Sequence, residues 1–348
     1  MKTTIRFIIV ILVLMTITNA ALAREEYTRV IKKEFTVNPD AKLVIDNSFG
    51  KVHCNNWDQN MIQIEVKVIV DAPDEKYANK IMDQISITIS GSADLVEART
   101  AISGGGFKGR SHVNIDYNVN MPTSVNLDLT NKFGDIYINE LGGKGKINLS
   151  YGNLAADKFS NSDNLLDIKF GKANIQSIKG AVVNLKYSEL ELDYAGSIRL
   201  DSKYSNLDAE KIISLVGNFE GGKLSIENSS VVESKLKFSD LNITRLEKSF
   251  SLEIQYGNCD VDEMPADFTN ISIMNKYGNV SIGLPDNANY SLDADLKFCD
   301  IDFPEEKAII SQKIITNTSR TYKASVGKES APTSKIVVRS EFGNVSLE

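Results

Sequence analysis

Cysteine, histidine and proline are scarce in this 348-residue chain, which holds three Cys, two His and seven Pro. With only His53 and His112 there is no set of spaced histidines for a metal centre or a catalytic triad. His53 stands beside Cys54, but two adjacent donors do not make a tetrahedral site. An excess of positive charge is also missing: 39 Lys and Arg against 46 Asp and Glu give a net charge of −7. Nucleic-acid binders need a positive footprint, so that class of partner is excluded. Beyond the first residues no apolar run is long enough for a transmembrane helix, which needs roughly 20 apolar residues. The 42% hydrophobic and 24% charged composition with little Pro excludes a disordered chain and fits a folded one.

The N-terminus carries Lys2 and Arg6, an apolar run from Phe7 to Met15, and Ala21-Leu22-Ala23 before the charged Arg24-Glu25-Glu26. This is the pattern of a secretory signal peptide over residues 1–23. No Cys follows Ala23, so a lipid anchor there is not expected. The mature chain is expected to be exported, periplasmic or extracellular at the cell surface, and not membrane-spanning.

What the chain has in abundance is one phrase, recurring about every 17 to 21 residues: an aromatic, then Gly or Ser, a polar residue, an aliphatic, and another apolar residue two further on. It reads Phe133-Gly134-Asp135-Ile136 with Ile138, Tyr151-Gly152-Asn153-Leu154 with Ala156, and Phe170-Gly171-Lys172-Ala173 with Ile175. It continues at Tyr187, Tyr204, Phe238, Tyr256, Tyr277 and Phe298, with a degenerate copy at Gly221 and outlying copies at Phe49 and Phe342. A period in this range signals a stacked array in which each unit buries its apolar face on its neighbours.

Aligning the copies on the aromatic, position zero, exposes more columns. Position −2 holds Leu149, Ile168, Leu185, Leu236, Ile254 and Leu296; position +5 holds Ile138, Ile175, Leu192, Ile226, Ile243, Val261, Ile282 and Phe303. Position +8 holds Leu141, Phe159, Ile178, Ile212, Leu246 and Met264. Strand alternation puts −2 and 0 on one face, and +3 and +5 on one face. The parity break between them predicts a corner at +1 and +2, where Gly or Ser precedes Asn, Asp or Lys. Identical slots with identical polarity imply translation along an axis. The expectation is therefore an all-β, single-stranded parallel β-solenoid with 17–21-residue coils, its aromatics forming an interior ladder.

Four segments follow. Residues 1–23 form the signal peptide and 24–130 a β-rich N-terminal cap with one helix at about 73–85, opened by Pro73-Asp74-Glu75. Residues 131–303 form the solenoid repeats. Residues 304–348 form a polar excursion and a C-terminal strand, Ile336-Val337-Val338, that closes the solenoid. The cysteines are expected to be free: Cys259 and Cys299 occupy different slots two coils apart, farther than the roughly 7 Å between Cα atoms that a disulfide tolerates.

The outward slots yield the one candidate binding feature. Lys precedes the aromatic at positions 132, 169, 186, 203, 237, 276 and 297, with Asp167, Asp201 and Asp295 two residues earlier as expected counter-charges. The wall of Lys169, Lys186, Lys203 and Lys237 reads either as a solvated, charge-interleaved surface that resists edge pairing or as a basic stripe for an anionic glycan or headgroup. No catalytic residue, cofactor site or metal site is read from the sequence. Gly104, Gly106 and Gly109 match GxGxxG formally, but a strand follows and no helix N-terminus is there to hold a pyrophosphate. Asp260-Asp262-Glu263 and Asp300-Asp302 alternate with apolar residues, the ordinary pattern of a half-buried strand.

The signal peptide, the phrase Asn131-Lys132-Phe133-Gly134-Asp135-Ile136-Tyr137-Ile138 and the terminal Ser340-Glu341-Phe342-Gly343-Asn344-Val345 together resemble a bacterial family of secreted β-strand-repeat proteins labelled putative adhesins. They are similar to the head-domain family of putative autotransporter adhesins. The resemblance implies an adhesin; repeated structure without a reactive site leads to the expectation of a non-enzymatic cell-envelope protein of a diderm bacterium, a binding scaffold whose partner is left open between a cell-surface glycan and an envelope protein. Its motif is structural and transfers no catalytic residue. The alternatives are a lyase-like enzyme acting on polysaccharide and a structural assembly protein. The chain departs from a true autotransporter in having no C-terminal membrane barrel before Glu348.

Overall fold

The computed structural model describes residues 25–104, 112–329 and 331–348, so the signal peptide expected at 1–23 and the Gly106 and Gly109 of the glycine motif lie outside the described residues. The described chain is nearly all β, with a single α-helix, Glu75–Met82. Asp74 caps that helix by accepting the Tyr77 amide proton at 2.8 Å, and Ala78, Ile81 and Met82 bury its inner stripe.

Through the repeats every rung lies parallel to the next, as a β-solenoid-like stack requires. Leu149 pairs with Ile168, Ile168 with Leu185, Leu185 with Ser202 and Ser202 with Phe219, so the −2 column is one continuous inward row. Ile138, Ala156, Ile175, Leu192 and Ala209 form a second row on the other wall. Both rows, and the +8 residues Leu141, Phe159, Ile178, Ile212, Leu246 and Met264, are buried in one core that runs the length of the molecule. Cys54, Cys259 and Cys299 are free and buried, filling small apolar slots.

The aromatic ladder is where structure and sequence expectation part. Position zero does not share the interior with position −2: Tyr151, Tyr187, Tyr204 and Phe238 are 49–57% exposed, while Leu149, Leu185 and Leu236 are buried. The corner falls on the aromatic itself. All eleven ladder aromatics, Phe49 through Phe342, have φ between 50° and 64°, and they are the only non-glycine residues with positive φ among those described. A left-handed residue interrupts strand alternation, so the side chain that parity would send inward swings out at the corner.

The following Gly is needed for space and not for a left-handed backbone. A Cβ on Gly152 would lie 2.1 Å from the carbonyl oxygen of Gly134, and one on Gly171 would lie 1.9 Å from that of Gly152. Where Ser takes the slot, its buried hydroxyl turns to the corner carbonyls: Ser188 Oγ is 2.9 Å from Lys186 O and Ser205 Oγ 2.9 Å from Lys203 O. At both ends of the stack buried Asn replaces the aliphatic at −2. Asn131 donates to Gly50 O at 2.9 Å and Asn275 to Gly278 O at 2.7 Å.

The ends depart from simple winding. Rung 42–56 is flanked on one side by the Phe133 rung and on the other by strands Leu95–Ile102 and Val113–Met121. Strand Met61–Ala72 runs antiparallel to Val113–Met121 and to Glu25–Thr36, extending the N-terminal β layer. At the other end the penultimate strand, Ser334–Glu341, does not close the stack. It slots between Asn270–Lys276 and Tyr290–Lys297, parallel to both. The segment read as a polar excursion is a hairpin, Ala308–Ile315 with Ser319–Val326, laid antiparallel on Tyr290–Lys297, and that hairpin covers the end.

Candidate functional site

The outer corner presents two parallel columns: the rings at position zero and the side chains that precede them. The rings stack in two runs. Phe49, Phe133, Tyr151, Phe170, Tyr187 and Tyr204 follow one another at centroid distances of 4.8–5.4 Å and interplanar angles of 2–17°. Phe238, Tyr256, Tyr277, Phe342 and Phe298 form the second run at 4.9–5.1 Å and 2–9°. A left-handed non-glycine residue costs about 1 kcal/mol or more, and a stacked aromatic pair returns about 1 kcal/mol beyond its area. Each interior ring contributes one stack on average, so ladder and corner are close to balanced. Because ring faces meet neighbouring rings, a ligand meets mostly ring edges and Tyr hydroxyls, which removes the simple sugar platform.

The lysine column is outward, as read from the sequence. Register places Lys169, Lys186 and Lys203 on successive rungs, with Glu220 next to Lys203 and Lys237 beyond it. Lys132 faces Ser48 on one side and Ser150 on the other, and Glu341 separates Lys276 from Lys297. Only one of the expected counter-charges pairs as anticipated: Asp167 holds Lys169 at 3.0 Å. Asp295 pairs instead with Arg339 at 3.3 Å, and Lys203 takes Glu220 at 3.6 Å. Lys186 and Lys237 have no ion pair among the described residues; each lies over its own ring, 5.8 Å from Tyr187 and 5.6 Å from Phe238. Exposed pairs of this kind contribute at most about 1 kcal/mol.

Three shallow grooves indent the wall beside this column. One of about 240 Å³ is lined by Val182, Asn184, Arg199 and Lys235 among others. A second, about 330 Å³, is lined by Lys203, Asn218, Glu220, Lys235, Lys237 and Gln255. The third, about 440 Å³, takes in Met274, Lys276, Lys297, Arg339 and Glu341.

The other candidate chemistries are not brought together. His53 is exposed and its ring packs 5.6 Å from that of Tyr137, while His112 is exposed elsewhere. Asp260, Asp262 and Glu263 point outward around buried Val261, and Glu263 pairs with Arg245 at 2.7 Å. Asp300 pairs with Arg320 at 2.6 Å. Among the described residues no cluster of three His, Cys, Asp or Glu has metal-binding geometry, and no helix is long and apolar enough to cross a membrane. Burial raises the Cys54 thiol to about 12 and pushes the Cys259 thiol up as well, so both are protonated in the fold and are not nucleophiles.

Sequence reasoning found the lysine column but missed the exposure of the rings beside it. The signal available was the Gly at +1: repeated Gly in a stacked array marks close backbone contact, which leaves the preceding residue to make the corner.

Residues 194–348 match the family model described as Toastrack DUF4097. The solved structures that the chain matches include a putative cell adhesion protein from Clostridium sporogenes ATCC 15579, at 11% identity over 93% of this chain and 99% of that one, with a TM-score of 0.23. A putative adhesin from Parabacteroides merdae ATCC 43184 is 12% identical over 92% of this chain and 96% of that one, TM-score 0.25. A putative lipid binding protein from Parabacteroides distasonis ATCC 8503 is 10% identical over 92% and 97%, TM-score 0.28. No curated protein matches. Three of the matched structures carry the label putative adhesin.

Proposed function

We propose that this protein is an exported, non-enzymatic envelope scaffold, a β-solenoid of 17–21-residue coils in which the ring-and-lysine corner is the binding face. The observation that carries the reading is the side-by-side arrangement of ten exposed rings and an interrupted column with seven lysines along the same rungs. In that column Lys186 and Lys237 have no carboxylate partner among the described residues, which leaves their charge for an anionic glycan at the cell surface. A straight array of repeated contacts suits a repetitive polymer, because each rung adds a weak contact and the sum gives avidity. The signal peptide read over residues 1–23 supports export.

The test has two arms. Cell fractionation with surface proteolysis establishes where the protein resides, and an exclusively cytoplasmic location would refute the reading. Binding of the purified mature chain to acidic glycans is then compared with a Lys186→Glu, Lys203→Glu variant. The double variant is expected to bind at least tenfold more weakly at low salt, and unchanged binding would remove the lysine column from the site.

A further inference from the structure

The ladder lacks one ring. At Gly221 the chain takes the left-handed φ, 73°, that Phe and Tyr take elsewhere, but with no side chain, and Gly222 after it is also positive at φ 120°. Glu220 pairs with Lys203, which puts Gly221 directly beside Tyr204, and Ser239 Oγ lies 3.4 Å from Phe219 O, which puts Phe238 on the following rung. Tyr204 and Phe238 are therefore separated by two rung spacings, roughly 10 Å. The stacked rings elsewhere sit 4.8–5.4 Å apart, so the backbone interval matches one missing ring, which enters once Tyr204 swings back from over the glycine. Exposure records the missing neighbour: Tyr204 and Phe238 are each 57% exposed, against 41–51% for the rings stacked on both faces. Tyr204 leans part of the way over the glycine, since a Cβ there would lie 2.8 Å from its Cδ1.

From this geometry we infer that the Gly221 interval is a binding slot for one aromatic side chain, Phe or Tyr, presented by a partner polypeptide. A guest ring inserted edge-first completes the ladder and covers the faces of Tyr204 and Phe238. Beside the slot, Lys203, Glu220 and Lys237, the residues that precede these corners, line the 330 Å³ groove with Asn218 and Gln255, which offers donors and acceptors to the backbone on either side of the anchoring residue. Burying one guest ring supplies about 1.5–3 kcal/mol, too little for a free small molecule to bind tighter than the millimolar range. The ring is thus an anchor within a larger contact, the usual role of a buried aromatic at a protein interface. This inference shares the outer corner with the proposed function but does not rest on it, since the ring slot is tested without any glycan.

The probe is N-acetyl-tyrosine amide, titrated into the full mature chain and followed by the ring-proton signals of Tyr204 and Phe238. Saturable upfield shifts are expected, with a Kd of order millimolar. N-acetyl-cyclohexylalanine amide, of similar bulk but without a π face, should bind at least fivefold more weakly. Gly221→Phe fills the slot from within, displacing only the exposed Tyr204 ring, and should abolish the shifts while leaving the circular dichroism spectrum unchanged. Should Gly221→Phe fail to fold, Tyr204→Ala provides the second variant and should weaken the probe at least threefold. Saturable shifts that persist in the variants, equal binding of the cyclohexyl probe, or no saturable shift in the wild type would each overturn the inference.

Discussion

Replacing Gly171 by Ala adds one methyl group to an outer corner, and the structure assigns it a large effect. The new Cβ would lie 1.9 Å from the carbonyl oxygen of Gly152 on the adjacent rung, whereas ordinary contacts begin near 3.4 Å. The two rungs must separate locally by about 1.5 Å, an overpacking strain of about 1–3 kcal/mol. The same separation stretches the hydrogen bond from the Tyr151 amide to Lys169 O, now 3.0 Å, and opens the Tyr151–Phe170 stack, now 4.8 Å. Each loss adds about 1 kcal/mol at most, so the total expected is about 3 kcal/mol. Gly142→Ala is the control: its Cβ would lie 3.1 Å from Thr123 O, and small adjustments should hold the cost below about 1 kcal/mol. Urea unfolding gives the change in stability, and hydrogen exchange over residues 153–203 locates it, because a stacked array can open locally. A Gly171→Ala cost below about 0.5 kcal/mol would refute the close-contact reasoning.

The fold should lose stability in alkali. Burial raises Cys54 and Tyr117 to about 12 and pushes Cys259 and Tyr290 up too, from ordinary values of 9.0 for the thiols and 10.0 for the phenols. A raised folded value means the neutral form is held in the fold, so the contribution is complete below about pH 9 and is lost as the unfolded chain ionises between about pH 9 and 12. Melting temperature measured from pH 8 to 11 should fall, and a Cys54→Ala, Cys259→Ala variant should fall less steeply. Asn131→Ala removes the donor to Gly50 O at 2.9 Å and the acceptor facing Asn47 Nδ2 at 3.2 Å, leaving buried polar groups unpaired. A destabilisation of about 1–3 kcal/mol is expected in urea unfolding.

Most of the stacking was legible in the sequence because it is written in columns. The −2, +5 and +8 residues recur at a fixed distance from the aromatic, and the structure buries the residues named in those columns in one core. The helix was legible from Pro73-Asp74-Glu75, and Asp74 is indeed its cap. The direction of the aromatics was not legible. Alternation counted from Leu149 or Ile168 sends Tyr151 and Phe170 inward, and only a left-handed aromatic reverses this. That conformation is disfavoured residue by residue and persists through stacking between rungs, an effect no single repeat contains.

Placement of the penultimate strand was also hidden. Ser334–Glu341 carries the same phrase as its neighbours, and only long-range pairing puts it before the Phe298 rung instead of after it. The lysine column was visible as a periodicity, but its pairing was not, since Asp295 reaches Arg339 across rungs and Glu220 interrupts the column where a lysine would repeat. Gly221 stood out as a degenerate copy. Its meaning as a missing ring follows only once the other rings are known to face out.

The direction of the ladder is tested most directly by chemical nitration of tyrosine in the native protein, read by peptide mass spectrometry. An outward ladder requires Tyr151, Tyr187, Tyr204, Tyr256 and Tyr277, 41–57% exposed, to be modified readily. Tyr117 and Tyr290, buried at 1% and 2% exposure, should stay unmodified until the chain unfolds. Protection of the five ladder tyrosines under conditions that nitrate exposed Tyr194 would contradict the outward corner and return the rings to the core.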